Sequence, residues 1–91
     1  MTEDRIAQYL IHSYLYYILS DTLISDAMFD GLCQWLRKPK NWRSVESPYK
    51  KLILEREGGY KNIKGLEMLE EDYPIELREQ AKKLLTDREK D

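Results

Sequence analysis

The residues best suited to bind a ligand lie between Tyr14 and Asp30, in the segment YLYYILSDTLISDAMFD. A tyrosine ring offers a flat apolar face and a hydroxyl, which together can stack on a base, a nicotinamide ring or a partner protein. Asp26 and Asp30 are four residues apart, so on a helix they project from one face about one turn apart. Ionised acceptors beside exposed rings can hold ribose hydroxyls or an amide NH₂ group. This segment is therefore the candidate binding site.

Helical periodicity predicts which of these rings reach solvent. In a first helix over residues 2–19, which Thr2 or Asp4 can cap, one apolar stripe is expected to face the core: Ala7, Ile11, Tyr14, Leu15 and Ile18. At about 100° per residue, the opposite side carries Tyr9, Ser13, Tyr16 and Ser20, with His12 and Tyr17 on the flanks. Tyr9 and Tyr16 are therefore expected to be exposed. The alternative, that later helices cover this side, stays open because a five-helix domain must bury some of it.

A second helix positions the aspartates. Ser25 or Asp26 can accept a hydrogen bond from its first free amides, and Pro39 ends it near Lys38. Its buried residues are expected to be Met28, Phe29, Leu32, Trp35 and Leu36. If Asp26 served only as the cap, Asp30 would have no role. The two helices form an antiparallel hairpin joined by residues 20–25.

Three further helices are predicted after the hairpin. One begins at Ser47-Pro48 and stops at Gly58-Gly59, the next spans residues 62–71, and the last starts near Pro74. The sequence thus predicts one all-α domain over residues 1–91, a small bundle of about five helices built on the N-terminal hairpin. Its parts are the hairpin at 1–38, additional helices at 39–86 and a frayed tail at 87–91.

Size and charge limit the classes of function. With 91 residues the chain has room for one core but not for a cleft between two lobes, so we expect a binding module and no enzyme. The net charge of -2 gives no overall attraction to nucleic acid. Residues 37–51 nevertheless carry six basic side chains and one acid, Glu46. This run suits a solvated connector, a phosphate-binding rim or, against the net charge, a nucleic-acid contact.

Other chemistries find little support in the sequence. Cys33 is the single cysteine, and among apolar neighbours a buried, inert thiol in a reducing cytoplasm is expected. His12 is the single histidine and has no metal-ligand spacing around it, so no metal is expected. A nucleophilic pair of Cys33 and His12 would lack oxyanion donors. No stretch approaches the roughly 18 apolar residues of a membrane span, and no signal-peptide pattern is present, so no membrane association is expected.

The hairpin resembles a known family. Tyr14-Leu15-Tyr16-Tyr17, followed by Ile24-Ser25-Asp26-Ala27-Met28-Phe29-Asp30, is similar to the N-terminal Ia domain of NAD-dependent DNA ligases. The pattern of that family is a tyrosine followed by His or Tyr, a spacer, and then Ile-x-Asp-Ala-x-Tyr-Asp. The resemblance covers residues 3–38. It extends weakly through Glu46-Ser47-Pro48, which is similar to the Asp-Ser-Pro that follows this hairpin in the ligases.

This resemblance implies a small helical cap that closes over an adenylation domain and binds the nicotinamide mononucleotide (NMN) half of NAD. It implies Tyr16 and Tyr17 as ring contacts and Asp26 and Asp30 as polar contacts. Phe29 stands where the family has tyrosine, so a hydroxyl contact is lost there. The Lys-x-Asp-Gly motif that takes AMP in the ligases is absent from the sequence. The resemblance therefore implies a non-catalytic, stand-alone module, an arrangement expected of a viral or mobile-element protein.

Two functions follow from these observations. The first is NMN or NAD binding, weak or completed by a partner, through Tyr16, Tyr17, Phe29, Asp26 and Asp30, with Lys40 or Arg43 as phosphate partners. The second is a regulatory or inhibitory protein interaction, in which the hairpin surface, Tyr9, Trp42 and the basic run bind a ligase adenylation domain or another host protein. A protein that binds no nucleotide but still binds a partner protein would favour the second function, the protein interaction.

Overall fold

A computed structural model describes residues 4–89, which form five α-helices and two short 3₁₀-helices. The α-helices are α1 (Arg5–Tyr17), α2 (Asp26–Leu36), α3 (Pro39–Ser44), α4 (Lys50–Glu57) and α5 (Ile75–Glu89). The 3₁₀-helices span Tyr60–Asn62 and Glu70–Asp72. No strand occurs within residues 4–89, so the predicted all-α bundle is confirmed.

The N-terminal hairpin forms as predicted, with a cap at the start of each helix. The Asp4 carboxylate accepts a hydrogen bond from the Ala7 amide at 2.9 Å, while Thr2, the other predicted cap, lies outside the described residues. The chain leaves α1 through Ser20, whose φ of 53° is left-handed. Ser25 then caps α2 by accepting from the Met28 amide at 3.1 Å, so capping does not occupy Asp26.

α1 is the central helix of the bundle and packs against α2 and α5. Its fully buried apolar side chains are Ile6, Tyr9, Leu10, Tyr14 and Leu15. The expectation that Tyr9 is exposed is therefore wrong, and Ser13 on the same side is also fully buried. Residues 63–69 cover this side of α1 at Tyr9 and Ser13, whereas Tyr16 is exposed as predicted.

Residues 63–69 are irregular, which corrects the predicted helix at 62–71. Without helical partners, the buried amides of this segment need acceptors from elsewhere. The Gly65 amide donates to the Tyr9 hydroxyl at 2.8 Å, and the Leu66 amide donates to the Ser13 hydroxyl at 3.2 Å. Gly65 has a φ of 118°, which a residue with a side chain rarely adopts. The irregular segment is therefore fixed to α1 by side chains of α1.

The basic run at 37–51 keeps most of its charged side chains exposed, as expected of a solvated connector, but it also contributes to the core. It contains α3, which was not predicted, and Trp42 on that helix is only 8% exposed. The Trp42 ring stacks on Tyr60 with centroids 5.6 Å apart, which corrects its proposed role as a surface contact. Ser47 accepts from the Tyr49 amide in a turn, so the next helix begins later than predicted, although it ends at Gly58 as expected.

Two smaller expectations about helix faces and ends are also corrected. Met28, which was expected in the core, is 62% exposed. Of the other residues of α2 expected there, Leu36 is fully buried, and Phe29, Leu32 and Trp35 are partly buried. α5 continues through Glu89, so the tail predicted to fray from residue 87 is helical at 87–89, and residues 90 and 91 lie outside the described range. Arg88 on this last turn pairs with Asp21 at 2.7 Å.

No helix within the described residues is both long and apolar enough to span a bilayer.

Candidate functional site

A pocket of about 240 Å³ opens between the end of α1, the hairpin turn and the start of α2. It is lined by His12, Tyr16, Tyr17, Thr22, Ile24, Asp26, Phe29 and Lys64. Four of the five residues predicted to bind a ligand therefore meet here: Tyr16, Tyr17, Phe29 and Asp26. We call this the ring pocket, because three of its walls are aromatic.

The aromatic walls differ in how much of each ring is free. Tyr16 is 54% exposed and meets the Tyr17 ring edge to face, with centroids 4.9 Å apart and an interplanar angle of 88°. Phe29 is half-buried and stacks on the buried Tyr9, with centroids 5.8 Å apart. Tyr9 thus supports the pocket from behind and does not line it. Of the aromatic walls, Tyr16 presents the most surface to a ligand.

Tyr17 is held in place by the irregular segment. A Cβ atom added to Gly65 would lie 2.9 Å from the Tyr17 hydroxyl oxygen and 3.6 Å from a ring carbon of Phe29. Only a glycine permits this close approach, and the preceding residue, Lys64, lines the pocket. Burial raises the pKa of Tyr17, so its hydroxyl is protonated at neutral pH and can donate a hydrogen bond.

The two aspartates have different surroundings. Asp26 is the first residue of α2, lines the ring pocket and makes no hydrogen bond within the described chain. The positive end of the helix dipole favours its negative charge at that position. Asp30 is exposed and does not line the pocket. Its carboxylate accepts a hydrogen bond from the side-chain amide of Gln34 at 2.6 Å. The structure therefore brings one of the two predicted carboxylates to the rings.

His12 contributes an unpartnered nitrogen to the pocket wall. Its side chain is half-buried, and its Nδ1 atom is enclosed without a hydrogen-bond partner among the described residues. Burial lowers the pKa of His12, because desolvation disfavours the imidazolium form. The ring is therefore neutral at pH 7, with one nitrogen able to accept and the other able to donate.

Sequence reasoning missed four of the eight pocket residues, and it assigned to the site others that lie elsewhere. The four are His12, Thr22, Ile24 and Lys64. Lys64 lies in the segment predicted to be helical, and only the folding of that segment over α1 brings it to the pocket. His12 was recognised only as a flank residue. Lys40 and Arg43, the expected phosphate partners, are exposed on or beside α3 and do not line the pocket. No local sequence signal identifies Lys64.

Burial and spacing determine whether the Cys33 thiol can react and whether side chains can bind a metal ion. Cys33 is a buried free thiol, and burial raises its pKa to about 11, so the reactive thiolate is scarce at neutral pH. This fits the inert thiol expected from the sequence. Within residues 4–89 no group of three or more His, Cys, Asp or Glu side chains is arranged to hold a metal ion.

Comparison with protein-family models, with curated proteins and with solved structures gives no match. The similarity of the hairpin to the Ia domain of NAD-dependent DNA ligases therefore rests on the residues quoted above. It stays a prediction, as do the ligand and the partner that it implies.

Proposed function

We propose that this protein is a non-catalytic module that binds the nicotinamide mononucleotide part of NAD or free NMN in the ring pocket. The observation that carries the proposal is the convergence of Tyr16, Tyr17, Phe29 and Asp26 on one cavity. These residues come from both helices of the hairpin. The same residues carry the resemblance to the ligase Ia domain.

The chemistry of the walls suits a flat ring that bears an amide. Aromatic side chains offer offset-stacked or edge-on contacts to a planar ring, and Tyr16 is the most accessible of them. The Asp26 carboxylate can accept from the carboxamide NH₂ or from ribose hydroxyls, in a charge-assisted hydrogen bond. The neutral imidazole of His12 also lines the pocket, although its unpartnered Nδ1 atom is enclosed by the protein.

The size of the pocket limits the affinity. At about 240 Å³ it is smaller than the roughly 300–1,000 Å³ of sites that enclose a drug-sized ligand. Much of the ligand would stay in water, so we expect a Kd on the order of 1 mM, corresponding to about -4 kcal/mol. A cytoplasmic location, which a single free cysteine fits, belongs to this proposal.

An NMR titration tests the proposal. We expect ¹H-¹⁵N shifts at residues around the ring pocket with NMN and NAD, and none there with AMP, up to about 10 mM ligand. Asp26→Asn should weaken binding because it removes the ionised acceptor. Asp30→Asn is the matched control, since Asp30 lies on the same helix outside the pocket. Absence of shifts with NMN and NAD, or equal shifts with AMP, would refute nucleotide binding.

A second candidate function is regulation through a protein partner, and exposed apolar surface favours it. Met28 is 62% exposed and lines a shallow groove that shares His12 and Ile24 with the ring pocket. A partner such as a ligase adenylation domain could cover both and complete the half-open site. Titration of the labelled protein with a purified adenylation domain tests this. Shifts that include Met28 and that occur without nucleotide would support it, and unchanged spectra would exclude it for that domain.

A further inference from the structure

A second groove lies next to the ring pocket and shares Lys64 with it. Its volume is about 580 Å³, and the irregular segment and the ends of α2 and α4 form its walls. The charged residues that line it are Arg37, Arg56, Lys61, Lys64, Glu57 and Glu67. We call it the basic groove. Lys64 lines both cavities and therefore lies where they adjoin.

The groove concentrates positive charge in a chain whose net charge is -2. Four basic residues face two acidic ones, a local excess of two positive charges. One of the acids, Glu57, is engaged internally, because its carboxylate accepts from the Tyr9 hydroxyl at 2.8 Å. Burial raises the pKa of Glu57, and the nearby Lys64 opposes this effect. The other acid, Glu67, is exposed.

Not all four cations are equally available. Arg56 pairs with Asp72 at 3.4 Å, and Arg37 donates to the Ile63 carbonyl at 2.6 Å. Lys61 and Lys64 are exposed and form no ion pair within the described part of the chain. The groove therefore has two lysines free to meet an anion, beside an arginine held in place by the backbone.

The backbone around Lys64 is fixed although its side chain is free. On one side, Arg37 holds the Ile63 carbonyl, and on the other the Gly65 amide donates to Tyr9. A lysine on such a backbone is pre-positioned between the two cavities, and only its side chain must order on binding. Less ordering means a smaller entropic cost of binding.

We propose that the basic groove is a phosphate subsite continuous with the ring pocket, and that Lys64 binds the phosphate nearest the ring. This inference rests on the proposed function and narrows its ligand to a phosphorylated nucleotide, as opposed to a nucleoside. Lys61 and Arg37 line the groove but not the ring pocket, so they would meet a second phosphate of a dinucleotide. An ammonium or guanidinium group beside phosphate oxygens forms charge-assisted hydrogen bonds.

The test compares three ligands and two charge-reversal variants. Nicotinamide riboside, NMN and NAD are titrated into the protein and followed by ¹H-¹⁵N shifts and calorimetry. Lys64→Glu should weaken NMN and NAD binding at least about 3- to 10-fold and should not weaken the binding of nicotinamide riboside, which is a cation without a phosphate. Lys40→Glu is the matched control, because Lys40 is also exposed but lines neither cavity. Added salt should weaken NMN binding more strongly in the wild type than in Lys64→Glu, because the wild type has the additional contact between the lysine and the phosphate.

The outcomes separate this inference from the proposed function. Equal affinity for riboside and NMN, with Lys64→Glu like the wild type, would overturn the phosphate subsite and leave ring binding intact. An equal loss of all three ligands in Lys64→Glu, with thermal unfolding unchanged, would also overturn it, because Lys64 would then act on the ring. Failure of all three ligands to bind the wild type would overturn both proposals.

Discussion

At the scale of single residues, the tyrosines of α1 divide into two functional groups. Tyr9 and Tyr14 are fully buried and donate to glutamates, whereas Tyr16 is exposed at the ring pocket. Burial and the hydrogen bond to Glu70 raise the pKa of Tyr14 to about 12, so its hydroxyl stays neutral. Residue type alone does not separate these roles, because all of them are tyrosines on one helix. The roles differ because distant segments supply hydrogen-bond partners to Tyr9 and Tyr14.

The hydroxyl of Tyr9 joins α1 to two other parts of the fold. It donates to Glu57 and accepts from the Gly65 amide, both at 2.8 Å. Tyr9→Phe leaves a half-buried carboxylate and an amide without their partner, so we predict a loss of about 1–3 kcal/mol in the free energy of unfolding. Tyr49→Phe is the matched control, since Tyr49 donates to Glu76 at 2.8 Å in an exposed pair. Urea denaturation should show a loss under about 1 kcal/mol for the control. Equal losses would contradict the assigned role of Tyr9.

His12 should make stability depend on pH. Its pKa in the folded protein lies below its ordinary value of 6.5, so the unfolded chain takes up the proton more readily. The contribution of neutral His12 is therefore present above about pH 6.5 and is lost as the pH falls toward the lower folded pKa. Glu57, whose pKa is raised by burial, acts with the opposite sign, since a raised carboxyl pKa favours the folded state at lower pH.

Substitution of His12 separates its contribution to the pH dependence of stability from that of Glu57. We predict that His12→Gln, which is neutral at every pH, removes this loss between about pH 7.5 and 5.5 in urea denaturation. The slope of stability against pH in that range should be smaller for the variant than for the wild type. An unchanged slope would show that burial of His12 has no effect on its titration.

At the scale of elements, the irregular segment at 63–69 is the part of the fold that makes the site. It covers one side of α1, holds Tyr17 and brings Lys64 to the pocket edge. Its conformation depends on Gly65, whose φ is 118°. In a helix, as predicted here from the sequence, the amides of this segment would donate to backbone carbonyls. In the irregular segment the Gly65 and Leu66 amides donate instead to the hydroxyls of Tyr9 and Ser13.

Substitution of Gly65 tests this dependence. Gly65→Ala should destabilise the protein by about 1–3 kcal/mol, because the backbone is strained for a residue with a side chain and the new methyl meets the Tyr17 hydroxyl. The Tyr17 ring resonances should shift in NMR spectra. Gly31→Ala is the control, since nothing lies within 4 Å of the added atom. In the interior of α2 it should stabilise by about 0.5–1 kcal/mol. Similar effects of the two changes would count against the role of Gly65.

The hairpin could be predicted from local sequence because its signals are local. A regular apolar stripe, the cap at Asp4 and the cap at Ser25 lie within the helices that they define. The segment around Gly65 could not be predicted, because its hydrogen bonds go to residues more than 50 positions away in sequence. The burial of Trp42 depends likewise on Tyr60, from a different element. Four of the five residues predicted to bind a ligand line one pocket, whereas Asp30 lies outside it and pairs with Gln34 on its own helix. Lys64, which was not predicted, reaches the pocket only through the long-range contacts of the irregular segment.

At the scale of the whole molecule, the ring pocket is a small cavity, open to solvent, on a well-packed helical scaffold. Its walls come from the first 30 residues and from one lysine of the irregular segment, while α4 and α5 complete the core. A rigid scaffold with a shallow pocket favours weak binding alone and tighter binding when a second surface covers the ligand. This arrangement connects the two proposed functions, because a partner that closes the pocket would raise the affinity for nucleotide.

The most direct test of the account is the position of the nicotinamide ring in the complex. At saturating NMN, nuclear Overhauser effects between the ring protons of nicotinamide and the protein would locate it without any variant. We predict contacts to the rings of Tyr16, Tyr17 and Phe29, the aromatic walls of the pocket. Contacts to other parts of the surface, or none with NMN in millimolar excess, would contradict the assignment of this pocket as a nicotinamide site.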